Sequence, residues 1–176
     1  GGALIGVEAL LRWNNGKLGR VAPGDFIPLA EDSGLIVPIG EWILRNACEY
    51  CKTWERAGLP PVPVSVNISA PQFRRSNLLQ LVGTVLSDCQ LDARWLTLEI
   101  TESSVMMDRE KSLQSLADLK ALGVKLSIDD FGTGYSSMAY LQQLEVHKLK
   151  VDMAFVRDMT TNAGNASIVK AVIALG

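Results

Sequence analysis

The chain of 176 residues has a single histidine, three cysteines and 6% aromatic residues. Each shortage closes off a class of function. One histidine and no second cysteine pair leave too few soft donors for a zinc site. Cys48, Cys51 and Cys89 are too few, and odd in number, for a secreted disulfide framework, and they suit a reducing compartment. A formal charge of −2 offers no basic field to a nucleic-acid duplex. No apolar run reaches the roughly 18 residues of a membrane span. Nor does the N-terminus carry a basic segment followed by an apolar stretch and a cleavage site. The expectation is a cytoplasmic segment with no nucleic-acid polymer and no membrane as partner, whatever anchors the parent protein elsewhere.

What is present is 48% hydrophobic residues, enough for one sizeable core and one domain over residues 1–176. Cys48-Glu49-Tyr50-Cys51 has the spacing of a redox or zinc pair. It falls inside a helical pattern that puts Ile43, Ala47, Cys51 and Trp54 on one stripe, so helix packing is the preferred reading. The sequon Asn67-Ile68-Ser69 carries little meaning without a secretion signal.

The remainder is organised around Ile128-Asp129-Asp130-Phe131-Gly132-Thr133-Gly134-Tyr135-Ser136-Ser137. Side chains alternate along a strand, so adjacent aspartates share one side only if the second lies past the strand end, in the glycine-punctuated turn. Two such close carboxylates repel each other, and a bound cation relieves the repulsion. Alone, the stretch would also serve as an acidic turn capping a helix that begins near Ser136-Ser137.

In chain order, Ala3 to Trp13 reads as an apolar strand containing Glu8, which if buried needs a partner. A turn at Asn14-Asn15-Gly16 follows, then a short helix at 25–32 with Phe26, Leu29 and Ala30 toward the core. A long amphipathic helix at 39–57 is stopped by Gly58 and Pro60-Pro61. Apolar runs near 63–68, 95–100, 124–129 and 147–152 then alternate with helical patterns near 77–90, 109–121 and 137–143, and a last helix covers 166–175. That beat predicts βαβ crossovers and a parallel sheet, either barrel or open.

The polar residues fall in step with the beat. Asn67 ends Val64-Ser65-Val66, Glu99 ends Leu96-Thr97-Leu98, Asp129 ends Leu126-Ser127-Ile128, and Lys150 lies in Leu149-Lys150-Val151-Asp152. Each strand delivers a polar group near its carboxyl end, the face where parallel α/β folds build sites. Glu8, Asn67, Glu99, Asp129 and Asp130 offer oxygen alone, which suits Mg²⁺ or Mn²⁺, and more than one ion could be held. Two ions bridged by a carboxylate are a standard arrangement for phosphodiester cleavage. Lys150 can orient the attacking water and Arg12 can clamp a phosphate. The chemistry indicated is metal-dependent phosphoester hydrolysis.

These same residues resemble the EAL family of bacterial cyclic di-GMP phosphodiesterases. Glu8-Ala9-Leu10-Leu11-Arg12-Trp13 is similar to its signature, as are Val66-Asn67-Ile68-Ser69, Leu98-Glu99-Ile100-Thr101-Glu102, the whole of 129–137, and Leu149-Lys150-Val151-Asp152 with Phe155-Val156; Met153-Ala154 departs from the usual Arg-Ser. The resemblance implies a TIM-like (β/α)8 barrel with one antiparallel strand and hydrolysis of cyclic di-GMP to linear pGpG. It implies catalytic roles for Glu8, Lys150 and Asp130, and two Mg²⁺ or Mn²⁺ ions on Glu8, Asn67, Glu99, Asp129 and Asp130, with Asp129 bridging. Arg12 and Asp152 would hold substrate, and Glu102 would anchor the loop carrying 129–137. A homodimer is implied, with a sensor or diguanylate cyclase domain possible in the parent.

The family's opening Gln-Pro strand, its seventh-strand Ala-Glu-Gly-Val-Glu segment and a later glutamine do not occur in these 176 residues. The expectation is therefore an incomplete barrel lacking its first strand and last βα units, inactive by itself. The alternative function is a cyclic di-GMP receptor or protein-interaction scaffold without turnover. Degenerate relatives of that kind usually lose the first glutamate or one aspartate of the pair, and here Glu8, Asp129 and Asp130 are all present.

Overall fold

The computed structural model describes residues 2–75, 77–132, 140 and 143–174. The helix expected at 137–143 lies outside these residues apart from Tyr140 and Gln143, as does the Thr133–Ser137 part of the central motif.

The first strand is shorter than its apolar composition suggests. β1 (Val7–Ala9) takes three residues of the Ala3–Trp13 run. Leu10 is exposed, and Trp13 opens a hairpin of β2 (Trp13–Asn15) and β3 (Gly19–Val21). Asn15 closes that turn, its Oδ1 accepting from the N–H groups of Lys17 and Leu18. Helix α1 (Pro23–Asp32) starts on a proline, whose missing N–H costs nothing in a first turn. Phe26 and Ala30, four apart, share its buried stripe. Leu29, expected in the core, is 67% exposed because it lies off that stripe. Helix α2 (Ile36–Arg56) buries Leu44, Ala47, Cys48 and Cys51, so the cysteine pair is packing, as its helical register indicates. Gly58, in the left-handed region at φ +74°, ends this helix.

From there strand and helix alternate: β4 (Val64–Ile68), α3 (Ala70–Arg75), α4 (Leu78–Cys89), β5 (Leu96–Thr101), α5 (Glu102–Met106), α6 (Arg109–Ala121), β6 (Lys125–Phe131), β7 (Lys148–Val151), α7 (Met153–Arg157) and α8 (Ala163–Ile173). The main sheet runs β1-β4-β5-β6-β7 with every neighbour parallel. It is the curled, partial wall of a TIM-like barrel. The implied antiparallel strand is not among these five.

Alternation divides the wall into two faces. Val66, Ile68, Leu98, Ile100, Leu126 and Ile128 point to the helices, each at most 2% exposed, and form one core with Leu44, Val82 and Leu119. Burying each such side chain contributes about 1.5–3 kcal/mol. The opposite face carries Ser65, Asn67, Thr97, Glu99, Ser127, Asp129 and Lys150, and that polar face positions the site.

Candidate functional site

The polar face converges on one ammonium. Lys150 Nζ lies 2.5 Å from Glu99 Oε2, 2.9 Å from Asp129 Oδ2 and 3.9 Å from Glu8 Oε2. Asn67 joins the set by donating its amide N–H to Glu8 Oε1 at 2.8 Å. Asn67 and Glu99 are direct partners in the β4–β5 register, which brings their side chains to one level. Glu99 is 2% exposed, whereas the Glu8 side chain is 36% exposed. The sequence suggested a buried Glu8; it stands instead on the short edge strand, open to a cleft of about 480 Å³ that Ser65, Thr97, Glu99 and Lys150 also line.

Two of these carboxylates decide the protonation of Lys150. Burial alone would favour neutral Lys150, but hydrogen bonds and attraction from Glu99 and Asp129 outweigh it and hold the pKa above the usual lysine range. Lys150 is thus a fixed cation at neutral pH, suited to orienting an oxygen or countering negative charge.

The adjacent aspartates are accommodated by a β-bulge rather than by the strand ending between them. Ile128 pairs with Leu149 and Phe131 with Val151, so Asp129 and Asp130 together oppose Lys150 alone. The extra residue takes the left-handed region, Asp130 at φ +53°, which aspartate tolerates better than most side chains. It also resets the alternation. Phe131 enters the helix-side core at 6% exposure, Asp129 keeps its contact with Lys150, and Asp130 stays exposed. Partial desolvation of the carboxylate by its surroundings, then repulsion by Asp129 and Asp152, raises the Asp130 pKa against the opposing pull of Lys150.

Glu102, 1% exposed, accepts the Gly132 N–H at 2.8 Å through Oε2, directly after the bulge. Gly132 has φ +104°, and a Cβ there would come within 2.9 Å of the Phe155 ring, so both conformation and space require glycine. Asp152 begins α7, its Oδ1 accepting the Ala154 N–H, while its own N–H reaches Phe131 O. Arg12 is not brought to the acids. Its guanidinium donates to Leu11 O, and it lines an apolar groove with Trp13, Phe26 and Trp42.

The all-oxygen donor set fits a hard divalent cation in kind, and one ammonium leaves three carboxylates with net negative charge. Among the described residues no group of three or more His, Cys, Asp or Glu side chains is placed to hold a metal ion. The Lys150 ammonium stands between Glu99 and Asp129. No local pattern announces the bulge or the Asn67–Glu8 bond, both of which depend on register between strands far apart in the chain.

The EAL domain family model matches residues 1–176. The chain belongs to the EAL domain family. Over 175 residues this EAL domain is 46% identical to the bifunctional diguanylate cyclase/cyclic di-GMP phosphodiesterase MucR of Pseudomonas aeruginosa, covering 99% of this chain and 26% of that protein. A solved c-di-GMP complex of the PaMucR phosphodiesterase matches with a TM-score of 0.94, over 99% of this chain and 71% of that one, at 46% identity. The FimX EAL domain from Pseudomonas aeruginosa bound to c-di-GMP matches with a TM-score of 0.82 at 26% identity, over 95% of this chain and 66% of that one. The chain spans only 26% and 21% of the first two curated relatives it matches. No helix among the described residues is long and apolar enough to cross a membrane.

Proposed function

We propose that this EAL domain hydrolyses cyclic di-GMP to linear pGpG in a metal-dependent reaction, as part of a longer signalling protein. The observation that carries the reading is the convergence of Glu8, Glu99 and Asp129 on Lys150, on the inward face of four parallel strands. The c-di-GMP complexes of related EAL domains support the ligand. Glu8, Asn67, Glu99, Asp129 and Asp130 would hold two Mg²⁺ or Mn²⁺ ions in the complete domain. When bound, such ions offset charge on the phosphate and make a water easier to deprotonate.

The chain's own residues account for the rest. Water adds to phosphorus, one P–O3′ bond breaks, and the leaving oxygen takes a proton. Lys150, held charged by its carboxylates, orients the attacking water and counters charge on the phosphate oxygens. Asp130, whose pKa is raised, would accept the attacking water's proton, and the leaving O3′ would take one from solvent. Arg12 and Asp152 take substrate contacts, Arg12 after turning from Leu11 O. Glu102 holds the turn that follows the acid pair. The parent functions as a homodimer with attached sensor or cyclase domains, residues 1–176 forming one EAL-type unit.

A receptor without turnover is the second reading, favoured by the ammonium standing among the carboxylates. Incubating the complete protein with cyclic di-GMP and Mg²⁺, then separating nucleotides by chromatography, distinguishes the two. The enzyme yields pGpG and stops on chelation. The receptor retains intact cyclic di-GMP.

A further inference from the structure

The Asp129–Asp130 bulge is tied to a second, more distant contact through α5. Glu102 begins this helix and receives the Gly132 N–H. At the other end, the Tyr140 hydroxyl lies 3.3 Å from Val105 O, in the last turn of α5, and 3.3 Å from Arg109 O, where α6 starts. The Arg109 guanidinium covers the Tyr140 ring at 5.2 Å from its centroid. Tyr140 is 5% exposed and Val105 is fully buried, so the contact with Val105 O is a buried one, while that with Arg109 O is partly buried.

We infer that Tyr140 is a positioning residue, whose hydroxyl pins the junction of α5 and α6 so that Glu102 holds Gly132 and the preceding acid pair in their bulged geometry. The inference rests on the reading of Asp129 and Asp130 as metal ligands. A helix of five residues is one rigid turn and a half, so movement of its C-terminal end is transmitted to Glu102. Asp130 is already in a sparsely populated backbone region, which persists only where surrounding contacts fix it. Loss of the hydroxyl removes the single O–H shared between these two carbonyls and lets that end of α5 shift.

The test uses Tyr140→Phe in the complete protein, which keeps the ring and its contact with Arg109. Two readouts are taken without nucleotide: amide exchange at Gly132, and calorimetric binding of Mg²⁺ alone. The expected result is about fivefold faster exchange at Gly132 and about fivefold weaker Mg²⁺ binding, the scale of one net hydrogen bond. A purely structural role would lower the melting temperature while leaving both readouts of the folded protein at wild-type values, and that result overturns the inference. Should Tyr140→Phe fail to fold, Glu102→Gln replaces it, weakening the acceptor of the Gly132 N–H at the other end of α5; unchanged exchange and Mg²⁺ affinity there overturn the inference too. If the wild-type protein binds no Mg²⁺, the metal-site reading fails and the inference with it, whereas a variant identical to a Mg²⁺-binding wild type sinks the inference alone.

Discussion

The two faces of one parallel sheet use adjacent residues for opposite purposes. On β4, β5 and β6 the residues Val66, Leu98 and Ile128 are buried against helices, and the next residue of each strand, Asn67, Glu99 or Asp129, lies on the polar face. The helix side gains its stability from apolar contact that is indifferent to charge. The inner side accumulates carboxylates whose repulsion is tolerated because Lys150 stands among them. Stability and chemistry are therefore separated by one residue of sequence, so a substitution on one face should leave the other face's property intact.

The largest effect expected on the polar face is from Glu8→Gln. Its side chain is partly exposed on an edge strand, so the fold persists, while turnover of cyclic di-GMP falls about 10³-fold, as when a group acting on developing charge is removed. Steady-state kinetics beside a melting curve measure both. Unchanged turnover would break the division between the faces at its most exposed point.

Leu98→Ala makes the converse change. Leu98 is fully buried, and the cavity should cost about 2–5 kcal/mol in urea denaturation. Turnover per folded molecule should hold. A variant that remains fully folded yet loses turnover would mean that the two faces are coupled.

A smaller, pH-dependent effect belongs to the helix side. Burial pushes the Cys48 thiol up to about 12 from 9.0. A folded pKa above the unfolded one gives stability that is complete below about pH 9 and declines as pH rises toward 12, since only the unfolded chain then ionises readily. Denaturation midpoints of wild type and Cys48→Ala between pH 7 and pH 10.5 check this. The wild type should lose stability relative to the variant above about pH 9, and parallel curves would refute the burial argument.

Much of this architecture was legible from residues alone because β4 to β7 are apolar runs whose polar exceptions recur at strand ends. Asn67, Glu99, Asp129 and Lys150 were found in that way, and the structure places all four on one face. Three features were not legible. Glu8 sits on a strand of three residues, because whether Leu10 and Leu11 continue a strand depends on what packs there. Leu29 turns outward because α1 buries only a narrow stripe. The bulge at Asp129-Asp130 is fixed by the β6–β7 register, which no local pattern in β6 announces. Lys150 was named as a catalytic residue, yet its place at the meeting point of the acids emerges from three strands together.

The most direct test is the structure of the complete protein crystallised with Mn²⁺ and read by anomalous scattering. The prediction is a peak about 2.1 Å from oxygens of Glu8, Asn67, Glu99 and Asp129, with the Lys150 ammonium displaced from Glu99 and Asp129. A peak elsewhere, or no peak at saturating Mn²⁺ with Lys150 still bonded to both carboxylates, would contradict the assignment of this face as the metal centre.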